Sequence, residues 1–371
     1  MNSNHLKKLN HLIKLSLLST LIALSVHAGQ INWEQLDGGL SQEKIGKDGL
    51  PIHDQSENFL DLVRTLNLED PSLSFSSSKG GSSVYAKIQG PNWKGAFLTN
   101  NAATNPEVEA AAYQIARLLG REELVGMGYP YTIKKAAILR LKSIAENTQS
   151  PSHLKMQNKA LVLKETSAAL AKSEPEMKGV FKLWGAPPFS VDELTSANKL
   201  NTKHPIAIGI NATNPIPKSN VTVKFKSSSL AGNQLTLTKE LSTLLIIDAL
   251  TNQFDRFSGG NLEAQEGADG QAHLVFNDNG GARFEGSKFS EQNRKYITRF
   301  ERTVAERVVA LDRFLQHQSP TLLNFNSPEE LMNALGLKTQ SRALFTQYVS
   351  KMAQQIKMTS EQYPNSWSFP E

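Results

Sequence analysis

The stretch LTNQFDRFSGGNLEAQEGADGQAHLVFNDNGGARF, residues 250–284, sets Asp255 beside Arg256, Asn261 six residues beyond that aspartate, and Asp278 in a later Asp-Asn-Gly turn. A carboxylate, an amide and a second carboxylate in turn-rich settings form a donor set suited to phosphoryl transfer. That reaction needs a carboxylate to orient the attacking hydroxyl and oxygen ligands to hold the phosphates through a hard cation. It also needs a lysine on the phosphates and an acid to anchor the lysine. Magnesium suits such a set, because it keeps several waters and takes only one or two carboxylates. Asp255 closes an apolar helix, where the negative end of the helix dipole disfavours a carboxylate without a function or a partner. Each residue also has a plainer reading. Asp255–Arg256 can be an ion pair closing a helix, Asn261 a turn residue after Gly259-Gly260, and the Asn-Asp-Asn-Gly-Gly run a hairpin turn. Their joint order favours one site split by a hairpin.

The elements that must position these residues follow from periodicity and punctuation. Residues 237–253 read as a buried helix, almost without charge after Glu240. The segment EGADGQ has hairpin chemistry, with Asp269 as a turn residue, and HLVFN follows as a strand. Upstream, residues 73–100 read as strands around a Ser/Gly loop and a Gly90-Pro91-Asn92 turn. Residues 105–120 read as a helix with Asn105 as its cap, Pro106 in the first turn, early acids and a closing Gly120. YPYTIKKAAILRL reads as strand, PSHLKMQNKALVLKETSAALAK as helix, and MKGVFKLWGAPPFS as a strand ending in a Pro-rich turn. Residues 201–229 read as an exposed hairpin or insertion, with His204 in a surface loop. From residue 290 onward the chain reads as amphipathic helices, one of them opened by the Ser327-Pro-Glu-Glu capping signal. Residues 29–70 read as irregular apart from ENFLDLVRTL.

The first 28 residues have a lysine-bearing start, an apolar run from Leu15 to Val26 and a Val26-His27-Ala28 cleavage pattern, which is the form of a secretory signal. The run is too short for a membrane helix, so the expected product is exported, periplasmic or secreted, with no membrane span after signal removal. The leader holds Lys7, Lys8 and Lys14 and no acid, so its loss takes the net charge from +5 to +2. That removes most of the case for a nucleic-acid partner. Cysteine is absent from the 371 residues, which excludes disulfides and thiolate metal sites. The eight histidines lack metal-ligand spacing, and no Gly-x-Ser-x-Gly elbow supports a serine hydrolase.

The segment IIDALTNQFDRFSGGNLEAQ…AHLVFNDNGGARF resembles the catalytic segment of atypical kinases. The nearest pattern is the secretory-pathway branch (Golgi casein kinase and four-jointed families), within a wider likeness to the phosphatidylinositol 3-/4-kinase-like families. The block EVEAAAYQIARLLG…YPYTI resembles the Glu-x-Ala-Ala-aromatic helix and Pro-x-Thr strand of the same superfamily. The resemblance implies an α+β, two-lobed atypical protein-kinase-like fold with a β-rich N-lobe, one key helix and a mostly helical C-lobe. The expected divisions are signal 1–28, extension 29–70, N-lobe 71–185 and C-lobe 186–371. It implies Asp255 as catalytic base, Asn261 and Asp278 as metal ligands, and Glu109 as the acid that pairs with the nucleotide lysine. The cofactors implied are ATP with Mg2+ or Mn2+, and the partners a nucleotide and a protein, lipid or sugar acceptor. One departure stands out. Leu98 occupies the position of that lysine in WKGAFLTN, and a pairing of SSVYAKIQ with WKGAFLT would place Lys87 opposite Ala96 as its replacement. The loop with Gly80 and Gly81 would cover the phosphates with backbone N–H groups. The expected function is thus an exported phosphotransferase, and the alternative is a pseudokinase that binds nucleotide or a partner without turnover.

Overall fold

The computed structural model describes residues 31–77, 83–100, 105–184, 189–191, 194–196, 199–218, 222–224, 231–253, 255–257, 261–281, 291 and 294–371. The leader and the Gly80-Gly81 pair lie outside the described residues. Five antiparallel strands form the main sheet: β1 (Ser74–Ser77), β2 (Ala86–Gln89), β3 (Lys94–Leu98), β4 (Gly128–Lys134) and β5 (Glu176–Trp184). Their spatial order is β1-β2-β3-β5-β4, so β5 enters between two strands made earlier in the chain. The register sets Lys87 opposite Ala96, as the alternation of WKGAFLT implies, and Ala96 opposite Lys182. A smaller sheet joins β6 (Phe189–Ser190), β7 (Glu263–Glu266) and β8 (Ala272–Val275) in the order β8-β7-β6. The remainder is mostly helical.

Helix α1 (Asp54–Thr65) holds the amphipathic ENFLDLVRT, and α2 (Pro106–Leu118) is capped where expected, the Asn105 side chain accepting from the Glu107 N–H at 3.1 Å. Almost every residue of α2 is buried, so it is the central helix of the β-rich part. YPYTIKKAAILRL does not stay extended. β4 stops at Lys134 and α3 (Lys135–Asn147) begins at once. The reason lies far away in sequence, because the Glu69 carboxylate accepts from the Ala136 and Ala137 N–H groups at 2.6 and 3.2 Å and caps the new helix. Helix α4 (His153–Leu170) packs against α3 before the chain returns as β5.

In the helical part, α5 (Gln234–Thr251) is buried along nearly its whole length. Helices α6 (Arg302–Leu315), α7 (Pro328–Ala334) and α8 (Thr339–Gln362) follow, and Ser327 caps α7 as the sequence indicates. In the stretch read as an exposed hairpin or insertion, Thr222–Lys224 pairs antiparallel with Ala231–Asn233, while the part before it is partly packed. Ile206 and Ile210 are buried, and the Arg299 guanidinium donates to the carbonyls of Gly209 and Asn214 at 2.7 and 2.6 Å. His204 is likewise buried, capping a single helical turn rather than facing solvent.

Residues 31–53 strap the two parts together instead of trailing free. Arg307 of α6 donates to the Gly38 carbonyl at 2.9 Å and pairs with Glu43, while Arg117 of α2 pairs with Asp48 at 2.5 Å and donates to the Pro51 carbonyl. Gly38 takes a left-handed φ of 63°, and a Cβ there would stand 2.5 Å from the Thr303 carbonyl oxygen. Asp48→Ala would strand a fully buried guanidinium. It is expected to cost about 3 kcal/mol in chemical denaturation, and an unchanged midpoint would show that the strap does not hold α2.

A second ion pair makes stability depend on pH. His273 of β8 bonds Glu240 of α5 at 2.6 Å and Asp269 at 3.1 Å. Burial pushes the Glu240 carboxyl up, opposed by His273 and the Leu274 N–H, and the hydrogen bond to Glu240 raises His273 to about 9. A histidine raised in the folded state stabilises fully below its unfolded value and loses that contribution as pH rises toward 9. The melting temperature should therefore fall between roughly pH 6.5 and pH 9, and His273→Gln should flatten the decline.

Candidate active site

The helix before the site ends through its own backbone. Asn252 closes α5 with a left-handed φ of 55°, a state asparagine tolerates, and turns the chain toward Asp255. Beyond it, Asn261 donates from Nδ2 to the Asp255 carbonyl at 2.9 Å. This contact commits the nitrogen end of the amide to the chain and ties Asn261 to the Asp255 backbone. The β7–β8 hairpin then carries the chain back to Asp278.

Asp278 has φ 67°, an uncommon conformation for a residue with a side chain and one that surroundings must hold. Three contacts hold this turn. Gln253 donates from Nε2 to the Asp278 carbonyl at 2.9 Å, and the Asn105 N–H at the head of α2 donates to the Gly280 carbonyl at 2.8 Å. Phe276 pairs in parallel with Val125, exchanging backbone hydrogen bonds with Leu124 and Gly126. The turn is thereby bound to α2 and to the segment that follows it.

Glu109, 1% exposed on α2, is paired with a lysine, and that lysine is Lys182 of β5. Sequence reasoning gave Lys87 this role, and the structure corrects it. The Lys87 ammonium lies 5.5 Å from the centroid of the Trp184 ring, while the ion pair is made two strands farther along the same cross-sheet row. Side chains on this face of β3 have neighbours on both flanks, β2 and β5. The other neighbour, β5, is non-consecutive in sequence. Gly126 leaves room for the lysine, since a Cβ there would meet Lys182 Cε and Asn277 Oδ1 at 2.9 Å.

Two further groups went unseen in the sequence. Glu263 accepts from Asn277 beside Lys182 and Asp278, and burial pushes its carboxyl up. Arg256 is paired with the second of these groups, Asp248. Its guanidinium binds Asp248 at 2.9 Å inside the protein, both side chains being 1% exposed. Asp248, eight positions before Arg256 and the one charged residue of α5 after Glu240, was the available signal.

The acids of the site repel one another. Burial pushes Asp278 up, with Glu109 adding to the shift and Lys182 and Arg256 opposing it. Burial raises Asp255 to about 6, Asp278 adding to the shift and Arg256 opposing it. Arg256 opposes the shifts of Asp255, Glu263 and Asp278, joined by Lys182 at the latter two, and Arg256 is committed to Asp248. Such a pocket favours an added cation with oxygen preference, and Asp278 with Asn261 supplies the donor types magnesium or manganese takes. Among the described residues no three His, Asp or Glu side chains form a metal-binding group by themselves.

Asp255 should titrate near 6 in a 13C carboxylate experiment on the metal-free protein, and Asp278→Asn should lower that midpoint by removing a neighbouring negative charge. A midpoint near 4 in the wild-type protein would mean that Asp255 is neither buried nor coupled as described.

Comparison with known proteins finds similarity in structure alone. No family model matches the chain, and no curated protein does. The crystal structure of the Golgi casein kinase with Mn/ADP bound superposes with a TM-score of 0.56 at 13% identity, covering 95% of this chain and 92% of that one. A second Golgi casein kinase structure gives 0.56 at 12% identity, covering 91% and 89%. A hydra Fam20 structure with sugar gives 0.52 at 13% identity, covering 88% and 96%. The five-stranded antiparallel sheet, the buried helix beside it and the helical remainder are therefore the atypical secretory-pathway kinase fold, shared with the Golgi casein kinase over nearly the whole chain.

Proposed function

We propose that the chain is an exported phosphotransferase that moves the γ-phosphate of ATP to a hydroxyl of a protein, lipid or sugar with the help of Mg2+ or Mn2+. The observation that carries this reading is the buried Glu109–Lys182 pair beside Asp278. Holding a lysine inside a protein is costly without a counter-charge, and a lysine anchored next to metal-type donors has the arrangement that phosphate binding needs. It also counts against an inactive relic, because in this reading Lys182 of the neighbouring strand takes the role that Leu98 leaves open. The superposed Golgi casein kinase was solved with Mn/ADP, which supports the nucleotide and metal assignment. The leader sequence supports export, and no helix among the described residues is long and apolar enough to cross a membrane.

In this reading Lys182 contacts the nucleotide phosphates, Glu109 fixes its position, and Asp278 with Asn261 holds the cation. A bound divalent cation supplies charge neutralisation on the phosphates. Gly80 and Gly81 enter on sequence alone as a backbone cover for them. Asp255 orients the acceptor hydroxyl and takes its proton as the oxygen bonds to the γ-phosphorus. The bond from that phosphorus to the bridging oxygen breaks, and ADP leaves with the electron pair. A carboxyl raised to about 6 is suited to this step, being mostly ionised at pH 7 yet basic enough to accept a proton.

Thermal-shift titration with ATP and Mg2+ or Mn2+ tests the assignment. A stabilisation of about 2.7 kcal/mol is expected at a hundredfold excess over Kd, lost in Lys182→Met and in Asp278→Ala and kept in Lys87→Ala. Asp255→Asn should still bind nucleotide while transfer falls by about a hundredfold or more. Absence of any nucleotide shift in the wild-type protein would overturn the reading, and loss of binding in Lys87→Ala with retention in Lys182→Met would return the role to Lys87.

A further inference from the structure

Arg256 has no part in the chemistry above, yet it is among the largest fully buried side chains of the protein. Its donors run in three directions. Nε and Nη2 donate to the Asp248 carboxylate of α5 at 3.0 and 2.9 Å. Nη1 donates to the Asn261 carbonyl at 2.8 Å, and Nη2 also donates to Asn279 Oδ1 at 2.6 Å. The guanidinium carbon lies 4.7 Å from the centroid of the Phe276 ring, which closes off one face. One planar group therefore touches the end of a rigid helix, the segment with Asn261 and the turn with Asp278.

Asn279 is the link to that turn. It is 1% exposed, its oxygen is engaged by Arg256, and its nitrogen faces the Phe276 carbonyl at 3.4 Å. The residue just before it, Asp278, holds the left-handed backbone. Swinging Asp278 away would pull Asn279 off Arg256 and cost one guanidinium N–H its acceptor in the interior.

We propose that Arg256 and Asn279 form a clasp that fixes Asp278 relative to Asn261, so that the two donor-bearing segments move as one unit. Arg256 is thus a positioning residue, acting through Asn279 and the Asn261 backbone. The proposal rests on the reading of Asp278 and Asn261 as cation ligands. A small, octahedral cation tolerates little error in donor placement. Hanging both segments from one rigid, delocalised fork supplies that precision in a way that a flexible lysine would not.

The test uses the full chain, Mn2+ alone as the probe, and two variants at the link. Asn279→Leu removes the acceptor at similar volume and leaves the Asp248–Arg256 pair in place, whereas Asn279→Asp keeps an acceptor oxygen. Mn2+ affinity is read by electron paramagnetic resonance, and backbone hydrogen exchange of residues 278–281 is read without metal. Asn279→Leu should bind Mn2+ about tenfold or more weakly and exchange faster over 278–281, while Asn279→Asp stays close to wild type in both. Wild-type affinity and exchange in Asn279→Leu would overturn the clasp while leaving the site assignment standing. Equal loss in both variants would overturn it as well, since the acceptor would then be irrelevant. A wild-type protein that takes up no Mn2+ would overturn the site assignment and the clasp with it. If Asn279→Leu does not fold, Asn279→Ala carries the same comparison.

Discussion

A charged lysine is costly to hold out of water without a counter-charge, and the Glu109–Lys182 pair is where this protein meets that constraint. Satisfying it requires β5 to sit beside β3 in one particular register, because a one-residue slip would turn Lys182 to the other face of the sheet. It requires α2 to present Glu109 to that face, and Gly126 to leave the lysine stem unobstructed. It also makes Asp278 a third charge whose ionisation depends on the other two. The sheet order, the helix and the hairpin turn thus converge on one buried contact.

Around that centre, arginines fasten pieces of chain that are distant in sequence. Arg117 and Arg307 hold the strap to α2 and α6, Arg299 gathers the carbonyls of residues 209–215, and Arg256 holds the segments that flank the site. Each guanidinium serves several acceptors at once, which a lysine cannot match in fixed geometry. A protein with no cysteine has no covalent staples, and these buried forks join elements that disulfides would otherwise link.

What the sequence made legible was local. Asn105-Pro106 marked the start of α2, Ser327 the start of α7, and the register of β2 on β3 followed from alternation through a short turn. The spacing of Asp255, Asn261 and Asp278 led to one region of the structure, where Asn261 bonds the Asp255 backbone and Asp278 shifts the Asp255 titration. What was missed depended on distant partners. Lys182 reaches Glu109 only because β5 inserts between β3 and β4, an adjacency that no turn signal encodes. The α3 boundary was missed because its cap is Glu69, some 65 residues upstream of Lys134. The segment around His204 has the composition of a surface loop, while the structure buries His204 as the cap of a helical turn.

The late insertion of β5 has a consequence for how the chain comes together. Its neighbours β3 and β4 are made first, and α3 and α4 must follow before the strand between those neighbours exists. Until then both carry unpaired backbone edges, the feature through which partly folded chains pair with one another. Non-local ladders of this kind close slowly, because a long loop must be ordered before its contacts repay the cost. The strand that completes the proposed phosphate site is therefore also the one that seals the sheet, so assembly of the one coincides with protection of the other.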